Sequence, residues 1–252
     1  MLRCRVIACL DVKDGRVVKG TRFEGLRDVG DPVALAARYE AQGADEVVFL
    51  DIAATREGRA TLFACVRAAA SELRVPLTVG GGIRTADDAA LALRAGADKV
   101  AVNSAAVESP GLIAAMAERF GAQCVVVSVD ARRERDAWRV WTRGGSTPTG
   151  LDALAWAETC AARGAGEILL TSIDRDGGRA GYDLALTRSV AERVAVPVVA
   201  SGGAGAPEHA ADAARAGADA VLLAGVLHER LFTIADVKRS LAHAGVPVRS
   251  VA

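Results

Sequence analysis

The chain has 252 residues, enough for one large domain or two small ones, with a core that needs no disulfide staples. Its 31 Lys and Arg balance 31 Asp and Glu, which argues against a polyanion such as nucleic acid as the main partner, because that affinity is built from clustered positive charge. Five cysteines (Cys4, Cys9, Cys65, Cys124 and Cys160), no Cys-x-x-Cys, and no apolar run near the ~20 residues of a membrane span describe a reduced, soluble, cytoplasmic protein.

Taken in chain order, short β-branched runs alternate with alanine-rich stretches of helical period. RVIACLD leads to Asp11 and a polar loop, KDGRVVKG; PVALAARYEAQGA follows as a helix. EVVFLD, PLTVGG and KVAVN are the next strands, with ADDAALALRAGA between the last two. CVVVSVD ends in Asp130, LDALAWAETCAARGA is a helix, and EILLTS, PVVASGG and AVLLAG complete the set. Gly43, Gly96, Gly164 and Gly217 stand where helices stop. The strands are apolar almost throughout, as parallel strands covered on both faces are. Eight such units predict a single α/β domain over residues 1–252, a closed (β/α)8 TIM barrel, with an open doubly wound sheet as the alternative.

The chain also repeats itself. LRAGADKV at Leu93 recurs as ARAGADAV at Ala214, VPLTVGGGI at Val75 as VPVVASGGA at Val196, and QGADEVVFLD at Gln42 as RGAGEILLTS at Arg163, each 121 residues on. One register therefore relates two half-barrels, about 1–121 and 122–252. Asp130 lies 119 residues after Asp11, at the equivalent end of the fifth strand and across the barrel mouth from it. Two carboxylates in unequal surroundings can divide the work of general acid and general base. No His- or Cys-rich cluster calls for a metal, and no cofactor is implied. His209, His228 and His243 fall in or beside the outer helices, where packing or surface roles are expected.

Gly80, Gly81 and Gly82 follow strand 3, and Asn103 and Ser104 follow strand 4. Ser201, Gly202 and Gly203 follow strand 7, and Ala224 and Gly225 follow strand 8. Glycine lets backbone N–H groups approach an anion closely, and the loops after strands 7 and 8 are a frequent phosphate site in such barrels. Two cradles flanking two carboxylates imply a long substrate with a phosphate at each end. The stretch TSIDRDGGRAGYD, from Thr171 to Asp183, is long and polar for its place: it reads either as a solvated loop or as a substrate-contacting one with Asp176 and Gly177 near the second cradle. At the opposite end, Arg5, Glu46, Lys99 and Glu167 each open an apolar strand. On physics alone they make a salt-bridge ring that plugs the barrel.

These residues resemble the cyclase subunit family of imidazole glycerol phosphate synthase, from histidine biosynthesis. The resemblance runs through IACLDVKDGRVVKG, GDPV, ADEVVFLDI, TVGGGIR, GADKVAVN, GAGEILLTSIDRDG, GYD and ASGGAG. It implies a barrel that takes ammonia and a bisphosphorylated formimino-carboxamide ribonucleotide carrying a ribulosyl phosphate. The products are imidazole glycerol phosphate and an aminoimidazole carboxamide ribotide. Asp11 and Asp130 match the family's acid–base residues. Gly82, Asn103 and Ser104 match one phosphate site, and Asp176, Gly177, Gly203, Ala224 and Gly225 match the other. The last position is often serine in the family; Gly225 keeps the backbone donor without a hydroxyl. Lys19 matches a lysine on a loop that folds over substrate. The resemblance also recasts the ring of Arg5, Glu46, Lys99 and Glu167 as a gate. Ammonia enters there from a glutaminase subunit, docked where Asp98 and Gln123 match interface positions. The sister isomerase of the same pathway, and a non-catalytic phosphosugar-binding barrel, are the competing readings.

Overall fold

The fold was analysed in a computed structural model that describes residues 3–21, 24–52 and 63–250. Twelve strands among these residues form one sheet. Eight of them run parallel: β1 (Arg5–Lys13), β4 (Glu46–Asp51), β5 (Leu77–Gly80), β6 (Lys99–Val102), β7 (Val125–Glu134), β10 (Glu167–Ser172), β11 (Val198–Ser201) and β12 (Ala220–Leu223). Each pairs with the next, and β12 pairs with β1 through Arg5–Ala220 and Ile7–Leu222, so the sheet closes. The barrel expected from the strand pattern is the observed fold. No helix of the described residues is long and apolar enough to cross a membrane.

The other four strands are two hairpin arms that the eight-unit pattern did not contain. β1 does not stop at Asp11 and β7 does not stop at Asp130. β1 runs on to Lys13 and turns back into β2 (Arg16–Thr21), which pairs with β3 (Glu24–Gly30). β7 runs on to Glu134 and turns into β8 (Ala137–Thr142), then β9 (Thr147–Asp152). The physical cause of the first is a two-residue turn, Asp14-Gly15, with both residues at positive φ (52° and 73°), the twist that a right-handed hairpin accepts. Asp11 pairs with Leu50 and Asp130 with Thr171, neighbours that are themselves 121 residues apart. The two-residue slip between the aspartates is therefore taken up in the hairpins, where Asp11 lies three residues before Asp14 and Asp130 five before Arg135.

The helices are α1 (Pro32–Ala41), α2 (Phe63–Glu72), α3 (Ala86–Arg94), α4 (Ser104–Glu108), α5 (Gly111–Phe120), α6 (Ala153–Ala162), α7 (Leu184–Ala191), α8 (Glu208–Arg215), α9 (Gly225–His228) and α10 (Ile234–His243). Asp31 and Asp152, 121 residues apart, cap α1 and α6 by accepting backbone N–H groups. Thr85 with Asp88, and Thr233 with Asp236, form capping boxes on α3 and α10. Apolar side chains pack in two concentric layers. The larger lies between strands and helices. The smaller fills the barrel with Ile7, Cys9, Val48, Ala101, Val126, Leu169, Val199, Ala220 and Leu222. All five cysteines are unpaired thiols, and burial pushes Cys4 and Cys160 up to about 12.

Candidate active site

The C-terminal end of the barrel opens into a cavity of about 900 Å³. Its floor is Cys9, Leu50, Ala101, Ser128, Leu169 and Leu222, the upper face of the inner apolar layer. Asp11 and Asp130 rise from β1 and β7 into it, and every residue expected to bind substrate lines it: Lys19, Gly82, Asn103, Ser104, Thr171, Asp176, Gly177, Ser201, Gly203, Ala224 and Gly225. One concave site thus collects side chains and backbone from seven of the eight strands and from the glycine loop that follows β5.

Both carboxylates titrate far above the ordinary range. Burial, reinforced by the nearby Asp176 charge and partly offset by Lys19, pushes Asp11 up to about 6. Burial and Asp176 push Asp130 up to about 7, against the lowering effect of a hydrogen bond from Asn103 Nδ2 at 2.9 Å. The Asn103 amide is therefore engaged with a carboxylate, which joins the first glycine cradle to the centre of the cavity.

The cradles are built alike. Gly81 and Gly202 both have φ +87°, and a Cβ at either would strike the carbonyl of the neighbouring strand, Asp51 O or Ser172 O. Only glycine combines that backbone conformation with so close an approach. Asn103 (φ −129°, ψ −85°) and Ala224 (φ −131°, ψ −89°) share one unusual corner ahead of α4 and α9. On the second side, the backbone N–H of Asp176 lies against Gly202, and Gly181 N–H donates to Gly203 O at 2.8 Å. The long polar loop is thus stitched to its cradle. Asp183 ends it by capping α7, and the buried Tyr182 hydroxyl donates to Leu222 O at 3.1 Å. At Gly225 the space a side chain would take is held by Lys19, whose Nζ would lie 2.5 Å from a Cβ built there.

A family model described as "Histidine biosynthesis protein" matches residues 5–233. Relatives named imidazole glycerol phosphate synthase subunit HisF match over nearly the whole chain. The Myxococcus xanthus protein is 63% identical over 252 residues, covering all of both chains. The Mycobacterium tuberculosis protein is 58% identical, covering 98% of this chain and 96% of its own. The Mycobacteroides abscessus protein is 56% identical, covering 97% and 98%. The chain belongs to the HisF family of imidazole glycerol phosphate synthase subunits.

At the other end of this HisF-family barrel, the four charges close into a ring. Arg5 pairs with Glu46 (Nη1–Oε2, 3.0 Å) and with Glu167, and Lys99 bridges the same two glutamates at 2.9 Å each. Both glutamates are buried, and Thr78 Oγ1 donates to Glu46 Oε1 at 2.6 Å, a fifth member the charge pattern could not reveal. Burial alone would raise the Glu167 carboxyl, but Arg5 and Lys99 outweigh it and hold it low. The inner apolar layer separates this ring from the cavity floor. Asp98 and Gln123 are exposed at the same end of the barrel, just ahead of β6 and β7. Asp98 also has a structural task, because its Oδ2 accepts Leu77 N–H at 2.8 Å, as Asp219 Oδ2 accepts Val198 N–H at 2.9 Å in the second half.

Of the histidines, His209 accepts from Gly205 and Ala206 N–H through Nδ1, and the half-buried His228 meets the Tyr39 hydroxyl at 2.7 Å through Nδ1. Both are packing roles. Sequence reasoning passed over the arginines at the cavity rim, Arg84, Arg132, Arg143 and Arg179. They lie on or beyond the hairpins and loops, where no periodicity reports which way a side chain faces.

Proposed function

We propose that the cavity carries out the cyclase reaction of imidazole glycerol phosphate synthase. Ammonia and the bisphosphorylated ribonucleotide enter, and imidazole glycerol phosphate and the aminoimidazole carboxamide ribotide leave. The observation that carries this reading is the pair of equivalent carboxylates, poised at about 6 and about 7 between two glycine cradles. Incorporating ammonia requires removal of protons from the entering nitrogen, and expelling the aminoimidazole requires a proton for the leaving nitrogen. The two carboxylates divide these tasks, the one that is ionised serving as base and the one that keeps its proton as acid.

The cradles, one at Gly82, Asn103 and Ser104 and the other at Asp176, Gly177, Gly203, Ala224 and Gly225, receive the two phosphates through backbone N–H groups. Thr171 and Ser201 offer hydroxyl-bearing side chains between them. Lys19, carried on the first hairpin, brings charge to the second cradle. The two halves, about 1–121 and 122–252, are read as a doubled half-barrel, and the matched glycine and corner conformations support it.

The ring of Arg5, Glu46, Lys99 and Glu167 is read as an ammonia gate. Its support is its position under an apolar layer that neutral ammonia crosses at far less cost than ammonium. The partner is then a glutaminase subunit docked on the face that exposes Asp98 and Gln123.

The test is to incubate the purified chain with the bisphosphate substrate and an ammonium salt at alkaline pH. Carboxamide ribotide forms only when ammonium is present. Product without ammonium, or an isomerised ribonucleotide alone, would place the chain with the sister isomerase. Asp11→Asn and Asp130→Asn are each expected to abolish turnover while substrate still binds; retained turnover in either removes its assigned role.

A further inference from the structure

The corner that precedes Gly225 also precedes Ser104, so these residues are structural equivalents 121 positions apart. A hairpin arm reaches each of them. Lys19, on β2 of the first arm, lies over Gly225. On the second arm the turn between β8 and β9 lies over Ser104: the Arg143 N–H donates to Ser104 Oγ at 3.0 Å. Arg143, Gly144 and Gly145 all have positive φ (54°, 64° and 73°), which folds this turn back on itself, and all three line the cavity. The arm is stiffened by Arg132 stacked on Trp141 and Arg133 on Trp138, at 4.2 and 4.4 Å.

From this geometry we infer that Arg143 is the side-chain cation of the first phosphate cradle, the counterpart on the second hairpin of Lys19 on the first. The inference rests on the two-phosphate reading of the cavity and adds a specificity residue to it. Two parts of Arg143 take separate tasks. Its main-chain N–H occupies an acceptor site of the Ser104 hydroxyl, whose own proton is then free to donate to a phosphate oxygen. Its guanidinium supplies charge and a planar pair of donors.

That guanidinium is held only loosely. Its partner is Glu108, at 3.5 Å, and the two side chains are 60% and 65% exposed. A phosphate dianion seated on the adjacent backbone offers twice the charge of Glu108 and a matching set of oxygens. Arg84 also lines the rim, but its main-chain N–H is spent on Asp88 at the start of α3, and among the described residues no hydrogen bond ties it to the cradle.

The experiment titrates inorganic phosphate into the full chain. Binding is read at each cradle from amide shifts, using Asn103 and Ser104 on one side and Gly177 and Gly203 on the other. Arg143→Met is expected to weaken phosphate at the first cradle by about tenfold and leave the second within about twofold. Lys19→Met does the reverse, and Arg143→Lys recovers part of the lost affinity. With the bisphosphate substrate, Arg143→Met raises KM by about tenfold, and kcat changes far less. An unchanged first cradle, or equal weakening at both, overturns the role of Arg143. If the unaltered chain shows no phosphate response at either cradle, it is the two-phosphate reading that fails.

Discussion

Asp130→Asn is expected to make the protein more stable at alkaline pH while it abolishes turnover. The carboxyl is raised from 3.8 to about 7 by burial and by Asp176. Acting in full, that displacement corresponds to about 4 kcal/mol. The side chain opens on a 900 Å³ cavity that admits water, and screening there reduces the expected gain to about 1–2 kcal/mol. The introduced amide oxygen still accepts from Asn103 Nδ2, so that donor keeps its partner, and the new amide N–H groups face the cavity. Between pH 4 and 7 the folded state holds a proton on Asp130 that the unfolded state has lost, so this group's contribution to stability is present below pH 3.8 and lost as pH rises through about 7. The variant lacks that loss. Its Tm advantage grows from near zero around pH 4 to roughly 2–8 °C at pH 8, given about 2–4 °C per kcal/mol for a domain of this size. Paired thermal melts at pH 5 and pH 8 read this directly, because other titrating groups cancel between the two proteins. A Tm difference equal at both pH values, or a lower Tm for the variant at pH 8, would refute the claim that Asp130 is held in an unfavourable charged state.

At constant free ammonia the pH–rate profile is expected to be bell-shaped, rising as one of the paired carboxyls ionises and falling as the second does, in the range of about 6 to about 7. Asp176→Asn removes a charge that raises both carboxyls, so the optimum moves toward acid; an unmoved or alkaline-shifted optimum counts against this electrostatic coupling. Arg5→Met leaves two buried glutamates sharing Lys99 alone, and a loss of about 3–5 kcal/mol in chemical unfolding is expected. With the glutaminase partner present, it impairs glutamine-dependent turnover more than ammonium-dependent turnover; equal impairment points to a structural plug. Gly202→Ala drives a Cβ to 2.7 Å from Ser172 O at φ +87° and is expected to cost about 1–3 kcal/mol. An unchanged Tm would mean that the cradle backbone can relax.

Much of the site was legible because the sequence carries its geometry twice. The 121-residue offset pairs Glu46 with Glu167, Gly81 with Gly202 and Asp98 with Asp219, and the structure gives each pair matching surroundings. The hairpin arms were missed although Asp14-Gly15 is a turn signal, because the eight-unit strand–helix pattern absorbed the segment into a loop. Asn103 was read for its backbone alone; that its amide reaches Asp130, 27 residues away, depends on how β6 and β7 are staggered.

By itself the sequence determined the closed parallel barrel, the equivalence of Asp11 and Asp130, and the alternating charges at the strand starts. These follow from apolar periodicity and internal repetition, which act along the chain. Only the tertiary structure decided what depends on approach across the chain. It raised two carboxyls toward neutrality by burying them beside Asp176, and it brought Thr78 into the charged ring. It also laid Lys19 over Gly225 and Arg143 against Ser104. Desolvation and hydrogen bonding depend on distances of a few ångströms, and those distances are set when the barrel closes and its hairpins fold back over the mouth.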